Sequence, residues 1–486
     1  MAGMMRLLLF MFLTGSVALA QEPVRKSLTL RECVERALAS NLDLQIERVN
    51  PQLQQWGVVA AEAAFEPALT GSASFTDDSQ PATTGSTLTR QWKFTTGLTG
   101  KLPSGTEYEV TGLEKRSDGT TYTDPVHAGS GTVTLTQPLL KNFWFGPNLA
   151  PVRVARKQRQ MADEALAALV MNTVSDTCKA YYELVFAIGN HQAKLEDLNR
   201  AKALLAENRR RVEIGVLSPL DVTQAEAGVA EREEAVIVAA RAIKDQENVL
   251  KRLMLAEVRE LRDASLVPVD YPVVHMVETD VARSIREALR SRPDYRQLQR
   301  DLERQHIQVA YNRNQLWPEV NLQASYALNG QGGSFGDVVD HAATGDNPTW
   351  FVGLTVTIPL GNKSARASYE TAKLKAAQAL LALKRLEQDI IVEVDNAVGQ
   401  VQTNLKRVEA SRAASRLAEE SLQAEETKLR AGSSTSFLVL QAQSQRAAAR
   451  SAEIRAQADY NKSLIELSRV QGTLLREQNI QLELGE

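Results

Sequence analysis

The chain is written twice. Val34-Glu35-Arg36-Ala37-Leu38 returns as Ile285-Arg286-Glu287-Ala288-Leu289, Pro67 as Pro318, and Ala73-Ser74-Phe75 as Ala324-Ser325-Tyr326, all at one offset (285 − 34 = 318 − 67 = 324 − 73 = 251). Further on, Leu135-Thr136-Gln137-Pro138-Leu139 faces Val356-Thr357-Ile358-Pro359-Leu360 at 221, and Gly215 and Gln224-Ala225 face Gly432 and Gln441-Ala442 at 217. The drop between Phe75 and Leu135 (251 − 221 = 30) places an insertion in the first copy. Copies this long are not solenoid units, which run from roughly 20 to 50 residues. They are two equivalent halves of one architecture.

Each half has the same order of elements: short helix, medium helix, strand region, very long helix, tight break, return helix. In the first half the short helices cover about 30–39 and 42–64 and end at Phe65-Glu66-Pro67. Asn148 and Pro151 open a long helix to about Val212, which Gly215 ends by supplying a left-handed cap. Ser218-Pro219, with Asp221 in the first turn, restarts a return helix to about Ala256. The second half repeats this near 281–290, 294–316 and 364–430, with Gly432 as the break and a Ser433–Ser436 cluster capping the last helix to about 477. At 1.5 Å per residue, a long helix of roughly 66 residues spans about 100 Å, close to the summed length of the two shorter helices in its half. Helices of that length pack laterally as coiled coils. Ala203, Leu204, Leu205, Ala206 and Ala372, Ala376, Ala377, Ala379, Leu380, Leu383 supply the seams. A solvated coiled-coil rod fits the helices equally well.

The strands separate these readings. Leu69, Gly71, Ala73 and Phe75 alternate with Thr70, Ser72, Ser74 and Thr76, and Val133 and Leu135 with Thr132, Thr134 and Thr136. In the second copy Val320, Leu322, Ala324, Tyr326 and Leu328 alternate with Asn321, Gln323 and Ser325, and Val352, Leu354, Val356 and Ile358 with Gly353, Thr355 and Thr357. One apolar and one polar face is the dyad pattern of an outer-membrane barrel strand and also of a half-buried sheet in water; four such strands in an exported chain, each flanked by a helix that cannot cover a sheet face, favour the barrel. Long polar loops are expected at about 77–90 and 329–349. The insertion, 91–113, alternates too (Trp92, Phe94, Leu98, Leu102 against Lys93, Thr95, Thr99, Lys101) around a turn at Pro103-Ser104-Gly105. It either adds a membrane hairpin or projects from the barrel.

The N-terminus reads as a secretory signal, with Arg6, an apolar stretch from Leu7 to Val17, and Ala18-Leu19-Ala20 as the cleavage site. No other segment approaches 18 apolar residues, so an exported chain without a spanning helix is expected. With 56 basic and 59 acidic residues there is no global field to gather nucleic acid. Five histidines (His127, His191, His275, His306, His341) share no ligand spacing, and no nucleophile elbow or phosphate loop is present. Catalysis, cofactors and metals are therefore not expected. Cys33 and Cys178 lie in helical segments and are expected as buried free thiols, with a disulfide as the alternative in an oxidising compartment.

Together the leader, the two helix–strand–long-helix halves and the breaks resemble the outer-membrane efflux protein (TolC-like) family over about 28–477. The most specific residues are Gly215-Val216-Leu217-Ser218-Pro219-Leu220-Asp221-Val222 with Ala225-Glu226, Gly432 with Leu440-Gln441-Ala442, and Ile358-Pro359-Leu360-Gly361-Asn362. The resemblance implies a homotrimer in the outer membrane of a Gram-negative-type cell, with four strands per chain and a helical tunnel through the periplasm. Its inner end would dock on a periplasmic adaptor (membrane fusion) protein and an inner-membrane transporter, as a passive duct for efflux or type I secretion. Independently, four to six strands per chain cannot close a barrel in outer-membrane lipid, so several copies must share one.

The expected fold is thus mixed α and membrane β, a long-helix coiled-coil α-barrel continuous with a shared trimeric transmembrane β-barrel. Its parts are a signal peptide (1–20), first-half helices (21–66), a strand region with the extra hairpin (67–140), a first helical hairpin (141–256), an equatorial segment with second-half helices (257–317), a second strand pair (318–360), a second helical hairpin (361–477) and a tail (478–486).

In the family the helix breaks carry the gate. By alignment Asp221 matches an acidic residue near the constriction, or it is a plain helix-start carboxylate favoured by the helix dipole. Elsewhere the match departs: Leu438 and Gln441 stand where the best-known members have aspartates, Leu429 where they have tyrosine, and Ser434 where they have arginine. The expected docking tips are Gly215, Val216, Leu217 and Ser218 with Gly432 and Ser433. Arg153, Arg156, Lys157, Arg159, Lys363 and Arg366, at the starts of the long helices, either contact inner-leaflet phosphates or form a solvated basic face. The rival reading is a periplasmic coiled-coil adaptor or structural protein, but that has one helical hairpin rather than two duplicated halves.

Overall fold

A computed structural model of the chain describes residues 25–81, 86–120, 124–255, 264–270 and 273–481. The leader and its cleavage site lie outside the described residues. The elements run β1 (Arg25–Leu28), α1 (Leu30–Ser40), α2 (Leu42–Glu62), β2 (Ala68–Pro81), β3 (Ser86–Lys101), β4 (Glu107–Gly119), β5 (Val126–Pro138), α3 (Phe145–Asn148), α4 (Ala150–Glu213) and α5 (Pro219–Met254). The chain continues through β6 (Ser265–Pro268), α6 (Val281–Ser291), α7 (Pro293–Asn314), β7 (Glu319–Gly332), α8 (Phe335–Thr344), β8 (Pro348–Thr357), α9 (Lys363–Arg430), α10 (Ser436–Gln471) and α11 (Leu474–Glu477). None of the described helices is long and apolar enough to cross a membrane.

The duplication holds residue by residue. At offset 251, α1 maps onto α6 at both ends and β2 onto β7 at both ends (319 − 68 = 332 − 81). At offset 217, α5 maps onto α10 at both ends (436 − 219 = 471 − 254). The chain divides into two compact units, one of 1–41, 176–275 and 404–462, the other of 42–175, 276–403 and 463–486. Both copies contribute to each unit.

In the first unit β1 and β6 form a two-stranded parallel ribbon beside a core of Leu28, Cys33, Ala37, Tyr181, Leu184, Leu250, Met254 and Leu266. Two buried side chains anchor the ribbon. The Tyr181 hydroxyl donates to the Leu28 carbonyl (3.3 Å) and accepts from the Asp270 amide (3.0 Å). The fully buried Glu247 accepts from the Leu266 amide (3.1 Å), the Ser265 hydroxyl (2.9 Å) and Lys244 (3.0 Å). Cys33 and Cys178 are both free and buried, as expected from the sequence, and burial pushes each thiol up to about 12. Such thiols are unreactive.

The second unit contains a six-stranded antiparallel sheet in the order β2-β3-β4-β5-β7-β8. The inserted segment therefore lies in the sheet, as β3 and β4. Register aligns the alternation across every strand. Leu69, Leu98, Val110, Val133, Tyr326 and Trp350 form one unbroken apolar row, and the adjacent row on the opposite face is Thr70, Gly97, Thr111, Thr132, Ala327 and Thr349. The apolar face is bare: Leu69 is 84% and Trp350 75% exposed. The outer edges of β2 and β8 have no strand partner among the described residues.

Two expected loops are more structured than the sequence suggested. β2 and β3 continue to Pro81 and from Ser86, so most of 77–90 is strand. Within 329–349 lies α8, started by a capping box in which Ser334 and Asp337 satisfy each other's amides. Its Val338 is buried over Gly129 and Gly330, where a Cβ at Gly330 would stand 1.9 Å from the Val338 carbonyl oxygen. Of the basic residues near the start of α4, Arg156 pairs with Glu62 (2.7 Å) and Lys157 with Glu303 (2.6 Å) within the unit.

Replacing Glu247 by Ala leaves the Leu266 amide without its acceptor. Hydrogen exchange at Leu266 should then accelerate on the order of a hundredfold, the cost of orphaning a buried donor from a charged partner. Unchanged exchange would show that the ribbon does not depend on Glu247.

Candidate functional site

The candidate site is the pair of helical tips, both in the first unit. Each long helix ends in the same way. At the first tip the Gly215 amide donates to the Val212 carbonyl (3.0 Å) and the Val216 amide to Arg211 (2.8 Å). At the second the Gly432 amide donates to Leu429 (3.2 Å) and the Ser433 amide to Lys428 (2.9 Å). These paired bonds form a Schellman motif, which needs a left-handed residue after the helix; Gly215 (φ 79°) and Gly432 (φ 77°) supply it. The return helices are capped differently. Ser218 and Asp221 form a capping box before α5, with the Asp221 carboxylate accepting from the Ser218 amide (3.1 Å). Before α10 the Thr435 hydroxyl accepts from the Leu438 amide (3.4 Å). Asp221, half-buried, is thus engaged as a helix-start carboxylate.

The other residues singled out from the sequence separate into two groups. Val216 (65%), Leu438 and Gln441 are exposed, as are Gly215, Ser218, Gly432 and Ser433, while Leu217 is half-buried. Leu429 is buried, packed with Leu204, Leu422, Val439 and Ala442. Ser434 donates to Glu425 (2.7 Å), whose other oxygen lies 2.5 Å from Lys428. These bonds hold the Glu425 carboxyl below the ordinary glutamate range. The first tip exposes Ile214 and Leu220; in the second, Phe437, the counterpart of Leu220, and Leu438 are exposed beside a break of Gly432, Ser433 and Ser434.

Sequence reasoning missed what joins the tips. Asn208 is fully buried in α4; its amide donates to the Asp221 carbonyl (3.4 Å) and its carbonyl oxygen accepts from the buried Ser436 hydroxyl (3.0 Å). One side chain thereby ties the starts of both return helices to the first long helix. The signal was available: Ala201, Leu204 and Asn208 follow a seam spacing, and a polar residue on such a seam sets register. Arg211 donates to the Leu429 carbonyl (3.3 Å), and Arg232 lies 3.0 Å from Asp197 with both groups buried. Glu419 receives Arg446 (2.6 Å) and Arg200 (3.4 Å). Burial alone would raise the Glu419 carboxyl, but the two guanidiniums outweigh it and hold it below the ordinary range.

Two predictions follow from this geometry. Asn208→Ala should cost about 2 kcal/mol by leaving the buried Ser436 hydroxyl without its acceptor, whereas exposed Ser433→Ala should stay within about 0.5 kcal/mol; denaturant midpoints compare them. Because the folded-state value of Glu419 is depressed, its contribution is present at neutral pH and lost as pH falls through that value. Glu419→Gln should therefore flatten the acid limb of the pH–stability curve, and an unchanged limb would exclude this role.

The comparisons with known proteins agree with this architecture. The outer membrane efflux protein family matches residues 33–254 and 284–473. The chain is 23% identical over 461 residues (92% of this chain, 84% of the relative) to the outer membrane efflux protein BepC of Brucella suis biovar 1 (strain 1330). It is 27% identical over 158 residues to Nodulation protein T of Rhizobium leguminosarum bv. trifolii, spanning about a third (32%) of that relative's length. Among solved structures, the outer-membrane channel OprN superposes with a TM-score of 0.70 at 19% identity (91% of this chain, 90% of that one). The Campylobacter jejuni CmeC outer membrane channel does so at 0.66 and 17% (94% and 90%). The two matched stretches fall one on each copy of the duplication and together cover most of the sequence, so the chain belongs to the outer membrane efflux protein family.

Proposed function

We propose that the protein is the outer-membrane duct of a tripartite efflux or type I secretion system, assembled as a homotrimer. It passively carries cargo from an inner-membrane transporter and its periplasmic adaptor to the exterior. The observation that carries this reading is the sheet. One row of the sheet, from Leu69 to Trp350, is apolar across all six strands, the row beside it on the other face is made of Thr, Gly and Ala, and two strand edges have no strand partner among the described residues. In lipid such edges must be satisfied, and only further copies of the same sheet can do so without exposing polar groups. Exposed Leu374, Leu381, Ile391 and Val392 along α9 offer apolar contacts to neighbouring copies.

At the inner end, the tips Gly215, Val216, Leu217 and Ser218 with Gly432 and Ser433 meet the adaptor. Exposed Ile214, Val216 and Leu220 of the first tip and Phe437 of the second supply apolar area, and Gly432 and Ser433 allow close backbone approach. The constriction is built from Asp221, Leu429, Ser434, Leu438 and Gln441, in two tiers. Leu438 and Gln441 are exposed and face the opening. Leu429, Ser434 and Asp221 hold the helix ends beneath them. Rings of Leu and Gln carry no fixed charge, so closure is by apolar contact and weakly sensitive to cations.

Membrane fractionation tests the whole reading: a trimer in the outer membrane is expected, and a soluble periplasmic monomer would overturn it. Val216→Asp should abolish export in cells while leaving the trimer intact. In a planar bilayer, millimolar trivalent cations should leave trimer conductance nearly unchanged; strong block would contradict the uncharged constriction.

A further inference from the structure

We propose that the inserted hairpin β3–β4 is part of the barrel wall, so that three copies of six strands close an eighteen-stranded barrel with a wide exit. This rests on the trimeric duct reading above. The duplication defines the insertion: β7 is the counterpart of β2 and β8 of β5, so what the first copy adds is one complete hairpin. Whole hairpins preserve strand direction. With six strands in alternating sense, β8 of one copy meets β2 of the next antiparallel, and the ring closes without a fault.

The hairpin's chemistry also fits a wall with lipid on one side and water on the other. Trp92, Phe94 and Leu98 of β3 and Val110 of β4 continue the apolar face of their neighbours, and charged residues of β4 on that face, among them Glu114 (paired with His127 at 2.8 Å) and Arg116, sit toward the β4–β5 connection. On the opposite face Lys93 and Lys115 stand directly across from one another, with no ion pair between either and a carboxylate among the described residues. Two facing ammonium groups are destabilising unless water screens them, which a filled lumen supplies and lipid does not. β3 has 16 residues and β4 has 13, each enough for a spanning strand. At about 4.8 Å between strands and a tilt near 40°, eighteen strands make a cylinder about 36 Å across, against about 24 Å for twelve. The exit therefore passes bulkier cargo than a four-strand protomer would allow.

Single cysteines at Lys93, Phe94, Val110 and Lys115, in the trimer reconstituted in lipid nanodiscs, test this with a water-soluble maleimide. The native Cys33 and Cys178 are buried. Lys93→Cys and Lys115→Cys should label on the order of tenfold or more faster than Phe94→Cys and Val110→Cys, as lumen and lipid positions alternate. A density map of the unmodified trimer should show eighteen strands. An intact trimer with twelve wall strands, or with labelling uniform along the hairpin, overturns this proposal alone. Failure to find a trimer overturns the duct reading beneath it.

Discussion

An antiparallel sheet with an exposed apolar row across all six strands, and two edges without a strand partner among the described residues, imposes a demand that a single chain cannot meet. The row from Leu69 to Trp350 runs apolar through all six strands, and the helices of its unit leave that face uncovered. Water would make the face costly at about 25 cal/mol per Å². Lipid accepts the face but forbids the edges, because an unpaired amide or carbonyl in hydrocarbon costs several kcal/mol. Closure with other copies, as in the proposed trimer, would remove both costs.

At the helical tips the constraint is different: a tight break must keep its own helix ends satisfied. The Schellman motifs at Gly215 and Gly432 do this with main-chain bonds alone. Side chains then lock the tips sideways, with Asn208 reaching both return helices and Arg211 reaching the end of the second long helix. Polar ties suit an element that must hold one register, since they are directional. Apolar packing around Leu429 supports them from beneath.

Much of this was legible because it is periodic. Helix breaks at Gly215 and Gly432, the capping pair Ser218 and Asp221, and the strand dyads are local signals, each set by a few neighbours in sequence. What was not legible is what distance in sequence hides. The β1–β6 ribbon is four residues a side, too short to carry a pattern, and exists because Glu247 and Tyr181 hold it. Helix α8 lies in a stretch whose Asp337, Asp340 and Asp346 read as an outward loop, and the capping box at Ser334 is what starts a helix there instead. Leu429 looked like a lining residue by alignment, and only packing showed it buried.

The sequence by itself determined the duplication, the order and length of the elements, the dyad faces of the strands and the two glycine breaks, because each is fixed by local conformational preference or by periodicity. Tertiary structure alone decided that the inserted segment joins the sheet, that Asn208 ties both tips, and that each compact unit draws on both copies. Those outcomes depend on which distant segments satisfy one another's hydrogen bonds and apolar area, and no window along the chain contains both partners.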